Sequence, residues 1–363
     1  MNKMSLFYKP DWEQTKENYK KWWAGEYFGR CAVAVYAPKK NPPDIPAPDK
    51  PKDTYQKWYD LDYISSVNQY KLSHTFFGAE ALPIWNAGYP GHTAIPTFLG
   101  CPVHLDMQTG WWDSILLNQE IDYTGLKINE EHPDYRFSIE LLHRGIDEAK
   151  GKCLVSIGAF GGCGDTLAAL RGTENLLFDC LDRPEWVKET EFFLMDIWCR
   201  HYDKLFKIIN EVDEGSTCWF PLWAPGKFYA VQNDFAYNIS PKMFREIFLT
   251  IIEKQTDFLD FCVYHVDGLG NFKHIDTLLE LPKIKAFQIL PGEGKPSPLY
   301  FMDILKKVQA AGKNLHISIH SSEVKRALEN LNARGLFIST SCETEDKALQ
   351  LIENISKWSK EQT

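Results

Sequence analysis

The sequence predicts an α/β protein built as a (β/α)8 TIM barrel, and three observations carry that expectation. Short apolar runs recur from residue 153 onward, each followed by a stretch with helical periodicity and its own start and stop signals. The runs are spaced by roughly 20 to 30 residues, room for one crossover helix between parallel strands. No GxGxxG follows an apolar run and no GxxxxGK[ST] occurs, so the phosphate-binding signatures of a doubly wound open sheet are missing.

Taken in chain order, the first candidate strand is "CAVAVYA" (31–37), and a second lies within "FFGAEALPIWN" (76–86). Between them, "APKKNPPDIPAPDKPKD" (37–53) holds six prolines and no apolar periodicity, the pattern of an extended surface loop. The regular part supplies "CLVSIGAF" (153–160), "GSTCWFPLW" (215–223), "FCVYHVDG" (261–268), "IKAFQIL" (284–290), "NLHISIH" (314–320) and "GLFISTSC" (335–342). Helices begin at Ser240–Pro241 and Ser297–Pro298, where a capping hydroxyl precedes a proline at the first helical position, and at Thr344 with Glu345 and Asp346 in the first turn. The expected organisation is a single domain over 1–363, with 1–75 an N-terminal extension and Pro-rich loop.

Composition narrows the function. Forty Lys and Arg against 49 Asp and Glu give a net charge of −9, which opposes nonspecific attraction to nucleic acid or to an anionic membrane. The opening "MNKMSLFYKPDWEQTKENYKKWW" has no signal-type apolar segment, and no apolar run approaches the ~20 residues of a membrane-spanning helix. Nine scattered cysteines without a CxxC pair suit a reducing compartment, so a cytoplasmic location is expected.

In a barrel, chemistry gathers where strands run into the loops at their C-terminal ends. Those ends read "FGGCGD" after 160, "WAPG" after 223, His265 to Gly268, "QILPGEG" after 288, "HSSE" after 320 and "SCETED" after 341. His265 and Asp267 share a strand face by the period-two rule, and Cys342 ends another strand. Imidazole, carboxylate and thiolate are zinc ligand types, and three protein ligands leave a fourth position for substrate. The same residues also read as a turn, with Asp267 capping its own loop and Cys342 packed in the core. His320 is a rival site member or a loop anchor. Asp234, His320 and Tyr264 are candidate catalytic groups. Trp219, Trp223, Gln232 and Gln288 are candidate substrate contacts, the tryptophans being equally readable as packing.

Four segments, "GDTLAALRGTENLLFDCLDRPEWVKE" (164–189), "QNDFAYNISPKMFREIF" (232–248), "YHVDGLGNFKHIDTLLE" (264–280) and "STSCETEDKALQLIENI" (339–355), resemble the uroporphyrinogen decarboxylase superfamily. The resemblance covers most of 150–356 and implies the same barrel, with an N-terminal extension. True decarboxylases of that superfamily carry an arginine-rich "RQAGRY"-type segment, whereas the corresponding region here is "GRCAVAVYAPKKNPP". The methyltransferase branch binds zinc through an H-x-C pair and a later cysteine. His265 and Cys342 stand at matching places, with Asp267 where the first cysteine would be. A carboxylate in that position keeps the formal charge of the site and makes the metal a harder Lewis acid, suited to oxygen or nitrogen donors.

The resemblance therefore implies a zinc-dependent methyltransferase moving a methyl group between a small O- or N-methylated substrate and a corrinoid on a partner protein. The alternatives are a decarboxylase acting on a small carboxylate, with Asp234 or Asp267 as acid or base, and a non-catalytic ligand-binding barrel.

Overall fold

The computed structural model describes residues 5–86, 88–118, 122–210, 214–292 and 294–361. Its strands are β1 (Ala32–Pro38), β2 (Thr75–Ala79), β3 (Ile84–Trp85), β4 (Val103–Leu105), β5 (Gly110–Trp112), β6 (Leu154–Ile157), β7 (Ser216–Cys218), β8 (Trp223–Ala224), β9 (Phe228–Val231), β10 (Phe261–Asp267), β11 (Ala286–Leu290), β12 (Asn314–Ser318) and β13 (Leu336–Ser341). One sheet runs β2-β1-β13-β12-β11-β10-β9 and is parallel except for β2, which lies antiparallel to β1. A second runs β3-β6-β7-β8, parallel until β8 folds back on β7. The two-stranded β4-β5 ribbon stands apart.

The protein is thus a mixed α/β fold with parallel strands and intervening helices. The expectation of one closed eight-stranded barrel is met only in part. Among the described residues the strands form three hydrogen-bonded sheets, the barrel-like strands being divided between the two larger ones, and no ladder joins β7 to β9. Ser216 spans that seam with its side chain, donating to the Gly226 carbonyl (2.6 Å) and accepting the Phe228 N–H (2.9 Å).

The reading of 215–223 as a strand followed by a helix also needs correction. β7 is three residues long, and the chain returns through β8 into β9, a strand with no forecast behind it. "FYAV" is only four residues with no periodicity to separate it from its neighbours, so burial alone marks it as a strand.

The helix signals hold. Ser240 and Thr344 accept the N–H groups of Met243 (3.2 Å) and Lys347 (3.2 Å), and Ser297 accepts that of Leu299 (3.3 Å). Each cap satisfies an amide that the helix itself leaves unpaired.

The N-terminal segment closes one end of the strands. The helix Trp12–Trp23 presents Trp12, Tyr19 and Trp22 as buried side chains. Trp22 Nε1 donates to the Gly335 carbonyl just before β13 (3.0 Å), and Asn314 Nδ2, at the start of β12, donates to the Trp22 carbonyl (2.6 Å). These contacts lie at the N-terminal ends of the strands, so the tryptophan-rich extension caps that end.

Glu80 fixes the cap in place. It accepts both terminal nitrogens of Arg30 at 2.7 Å, the Val33 N–H at 2.8 Å and Asn18 Nδ2 at 2.8 Å. A buried carboxylate is tolerated when its oxygens are this fully paired. Among the described residues, no helix is long and apolar enough to cross a membrane.

Candidate active site

The turn after β6 builds the centre of the site. Gly161 and Gly164 take positive φ, +101° and +78°. A Cβ on Gly164 would stand 2.3 Å from Asn233 Oδ1, so glycine is required twice over, by its backbone angle and by the neighbouring turn. Glu191, buried in the helix Pro184–Ile209, receives the Gly164 N–H on both carboxyl oxygens at 3.1 Å. Burial pushes its carboxyl up to about 8, so it is mostly neutral at pH 7.

This turn delivers Asp165 to the first turn of the helix Asp165–Arg171. Asp165 reaches across to the segment that leaves β9. Its Oδ1 accepts the N–H groups of Asp234 (2.8 Å) and Phe235 (3.0 Å). Gln232 Nε2 donates to Asp165 Oδ2 (3.1 Å) and to Asp234 Oδ2 (2.9 Å), so one amide bridges two carboxyl groups.

Both carboxyls are held above their ordinary range. Burial and then the Asp234 charge push Asp165 up to about 7, while burial and then the Asp267 charge push Asp234 up to about 6. Asp234 keeps an open side to solvent and Asp165 is more enclosed. The two carboxyls are coupled, burial and neighbouring charge favour the protonated form of each, and Asp165 is the better-shielded member.

β10 and β11 supply the adjoining wall. His265 and Gln288 are register partners, and the imidazole Nδ1 hydrogen-bonds Gln288 Oε1. That bond places the proton on Nδ1 and leaves Nε2 as an acceptor. Burial lowers the His265 pKa, so the ring is neutral at pH 7. Trp219 meets it edge to face, ring centres 5.1 Å apart. Tyr264 is buried, and its hydroxyl is pushed up first by burial and then by the charges of Cys163, Asp165 and Asp234. Below Gln288, in register, lies buried His316, with Nε2 on Ser339 Oγ at 2.8 Å.

The polar end of β10, His-Val-Asp-Gly, splits between two roles. His265 serves the wall. Asp267 caps nothing in its own loop, which is closed instead by Asn271 N–H on the Gly268 carbonyl (3.1 Å) and Asn271 Nδ2 on the Asp267 carbonyl (3.0 Å). Its side chain stays exposed and acts on Asp234 through its charge.

The structure does not bring Cys342 to this pair. Three ladder steps separate β10 from β13, roughly 14 Å along the sheet at ~4.8 Å per step. Parity also opposes it. Ser339 faces His316 inside, and Cys342, an odd number of residues further, takes the other side. There it lines a cavity of about 430 Å³ with His320, Lys347, Gln350 and Asn354, which shares no residue with the carboxyl pair. Among the described residues, no three His, Cys, Asp or Glu side chains stand close enough to hold a metal ion. The donor set His265, Asp267 and Cys342 therefore does not fit zinc.

Two further candidates lie elsewhere than expected. Trp223 is buried against Trp12 (ring centres 5.4 Å) and Tyr19 (6.2 Å), and its carbonyl accepts Trp23 Nε1 (2.9 Å), so it packs the N-terminal cap. His320 turns Nδ1 onto its own loop, to Ser322 Oγ (2.7 Å) and Ser322 N (3.3 Å), and is a loop anchor. The structure gathers Asp234, Gln232, Tyr264, His265, Gln288, Trp219 and Asp267. It adds Asp165 and Glu191, which the sequence reading passed over. The signal for Asp165 was present: a Gly-Asp step at a strand end, opening a helix. Nothing in sequence marks Glu191, a mid-helix glutamate identified only by its burial.

No family model matches the chain, and no curated protein matches it. Its fold is similar to that of a methyltransferase from Methanosarcina mazei, with a TM-score of 0.62 over 94% of this chain and 98% of that one, at 11% identity. At that identity the likeness is one of fold.

Proposed function

We propose that the chain is a methyltransferase for a small O- or N-methylated substrate, with the Asp165–Asp234 pair as its acid. One observation carries the reading: two carboxyl groups bridged by the Gln232 amide and both raised toward neutral pH, at the C-terminal ends of the strands. When a methyl group leaves oxygen or nitrogen for an acceptor, the bond's electron pair stays on the heteroatom, and that atom needs a proton to become a good leaving group. A carboxyl whose pKa sits near the working pH can both deliver that proton and regain it. Trp219 offers an apolar wall beside the neutral His265, whose Nε2 accepts a hydrogen bond from the substrate.

A corrinoid on a partner protein would supply the methyl acceptor, and every role above belongs to this chain's own residues. No step passes through zinc, because the donor set does not fit it.

Decarboxylation is the weaker reading. The same acid could protonate a carbanion, but a carboxylate substrate needs a cationic clamp. Arg30, in the segment corresponding to the decarboxylase arginines, is spent on Glu80 at the opposite end of the strands. Among the described residues no Lys or Arg pairs with Asp165, Asp234 or Asp267.

The test is a panel of methoxyarenes, methylamines and small carboxylates incubated with the full chain and a reduced free corrinoid, following the demethylated product and released carbon dioxide. Demethylation that falls about 10²-fold or more in Asp234→Asn supports the reading. Carbon dioxide release without demethylation would sink it.

A further inference from the structure

A second cavity, of about 490 Å³, has a chemistry opposite to that of the acid pair. Lys50, Lys57 and Lys71 line it beside Trp58 and Tyr63, and no Asp or Glu does. In a chain of net charge −9, three lysines line this one hollow, while Asp49, Asp60 and Asp62 line the adjoining one that shares Lys50 and Tyr63. Among the described residues, Lys50 and Lys71 enter no ion pair. Lys57 donates to the Met107 carbonyl, and its Nζ lies 4.4 Å from the centre of the Trp58 ring.

Of the nearby carboxylates, Asp62 pairs with Arg144 (2.8 Å), Asp60 accepts the N–H groups of Asp62 and Tyr63 (3.0 Å each), and Asp49 stands exposed beside Lys50. Asp53 accepts the Gln56 N–H (2.7 Å), and Asp106 accepts the N–H groups of Gln108 (2.5 Å) and Thr109 (2.6 Å) in its own turn. Trp58 is buried and fixed by Nε1 on the Asp106 carbonyl (2.8 Å), and Gly88 lies against its ring, where a Cβ would come within 3.0 Å. The hollow therefore has an aromatic wall fixed by the Trp58 hydrogen bond and cationic donors on three lysines, the ingredients of a site for a flat anion.

Its place in the fold gives it access to the working end. Asn86 and Gly88 directly follow β3, which runs parallel to β6, so the cavity opens at the strand ends that carry Asp165. It shares no residue with the acid pair.

We propose that this cavity is a second binding site, for a small organic anion with one phosphate or carboxylate on a flat apolar body. The lysines take the anionic group and Trp58 with Tyr63 takes the body. This site stands independently of the methyl-transfer reading.

The experiment is calorimetric titration of the full chain with phenyl phosphate, benzoate and the neutral benzyl alcohol. At least one anion should bind once per chain, more weakly as salt rises, and benzyl alcohol about tenfold more weakly or worse. The double variant Lys50→Gln with Lys71→Gln, both at exposed positions, should lose about tenfold in anion affinity with an unchanged thermal midpoint. Asp234→Asn should bind the anion as the parent does. The proposal is overturned if neither anion binds at millimolar concentration, if benzyl alcohol binds as well as the anions, or if the lysine variant binds unchanged. Loss of binding in Asp234→Asn but not in the lysine variant would place the anion at the acid pair instead.

Discussion

Replacing Asp165 by Asn tests the raised carboxyl pair without needing a substrate. Asn retains an oxygen for the N–H groups of Asp234 and Phe235, now 2.8 and 3.0 Å from Oδ1. Its amide nitrogen then faces the Gln232 amide, 3.1 Å from Oδ2 in the parent, so one arm of the bridge is lost. A lost hydrogen bond of this kind costs about 1 kcal/mol.

Against that stands the ionisation the variant no longer undergoes. The folded Asp165 pKa of about 7 is raised above its unfolded value, so the parent has its full stability below pH ~4. That stability is lost as pH climbs through 7. A shift of this size corresponds to a ceiling of ~4 kcal/mol, reduced in practice because Asp165 and Asp234 titrate together.

The variant should therefore be less stable than the parent at pH 4 and draw level or overtake it by pH 8. Urea unfolding at pH 4, 5, 6, 7 and 8 measures the difference directly. Parallel pH profiles for the two proteins would refute the reasoning, since they would mean that Asp165 titrates alike in folded and unfolded chains.

Two other outcomes are expected. Gly164→Ala places a Cβ 2.3 Å from Asn233 Oδ1 on a backbone with φ of +78°, and should cost roughly 2–4 kcal/mol in urea unfolding; a loss under 1 kcal/mol would show that the turn can relax. Cys342→Ala should leave methyl transfer unchanged, because its thiol lines the separate cavity near Lys347 and Gln350. Loss of activity together with loss of bound zinc would restore the three-ligand site.

The sequence by itself determined the elements whose signals are local. Apolar runs bounded by glycines and capping residues marked β10 to β13, and Ser240, Ser297 and Thr344 marked their helix starts, because a cap is a contact within three or four residues. It also brought His265 and Gln288 to notice at or next to forecast strand ends, and Gln232 and Asp234 through the "QND" segment, with no strand forecast before it.

Only the tertiary structure decided which of these residues meet. β9 is too short to announce itself, yet it sets Gln232 and Asp234 against a turn from another strand. Cys342 matched the expected spacing along the chain, but its three-residue offset from Ser339 turned it to the other side of the sheet. The pKa of a carboxyl is likewise no property of its sequence neighbours: Asp165 is raised by burial and by Asp234, 69 residues away in the chain, and the field that sets it exists only once the two turns are packed together.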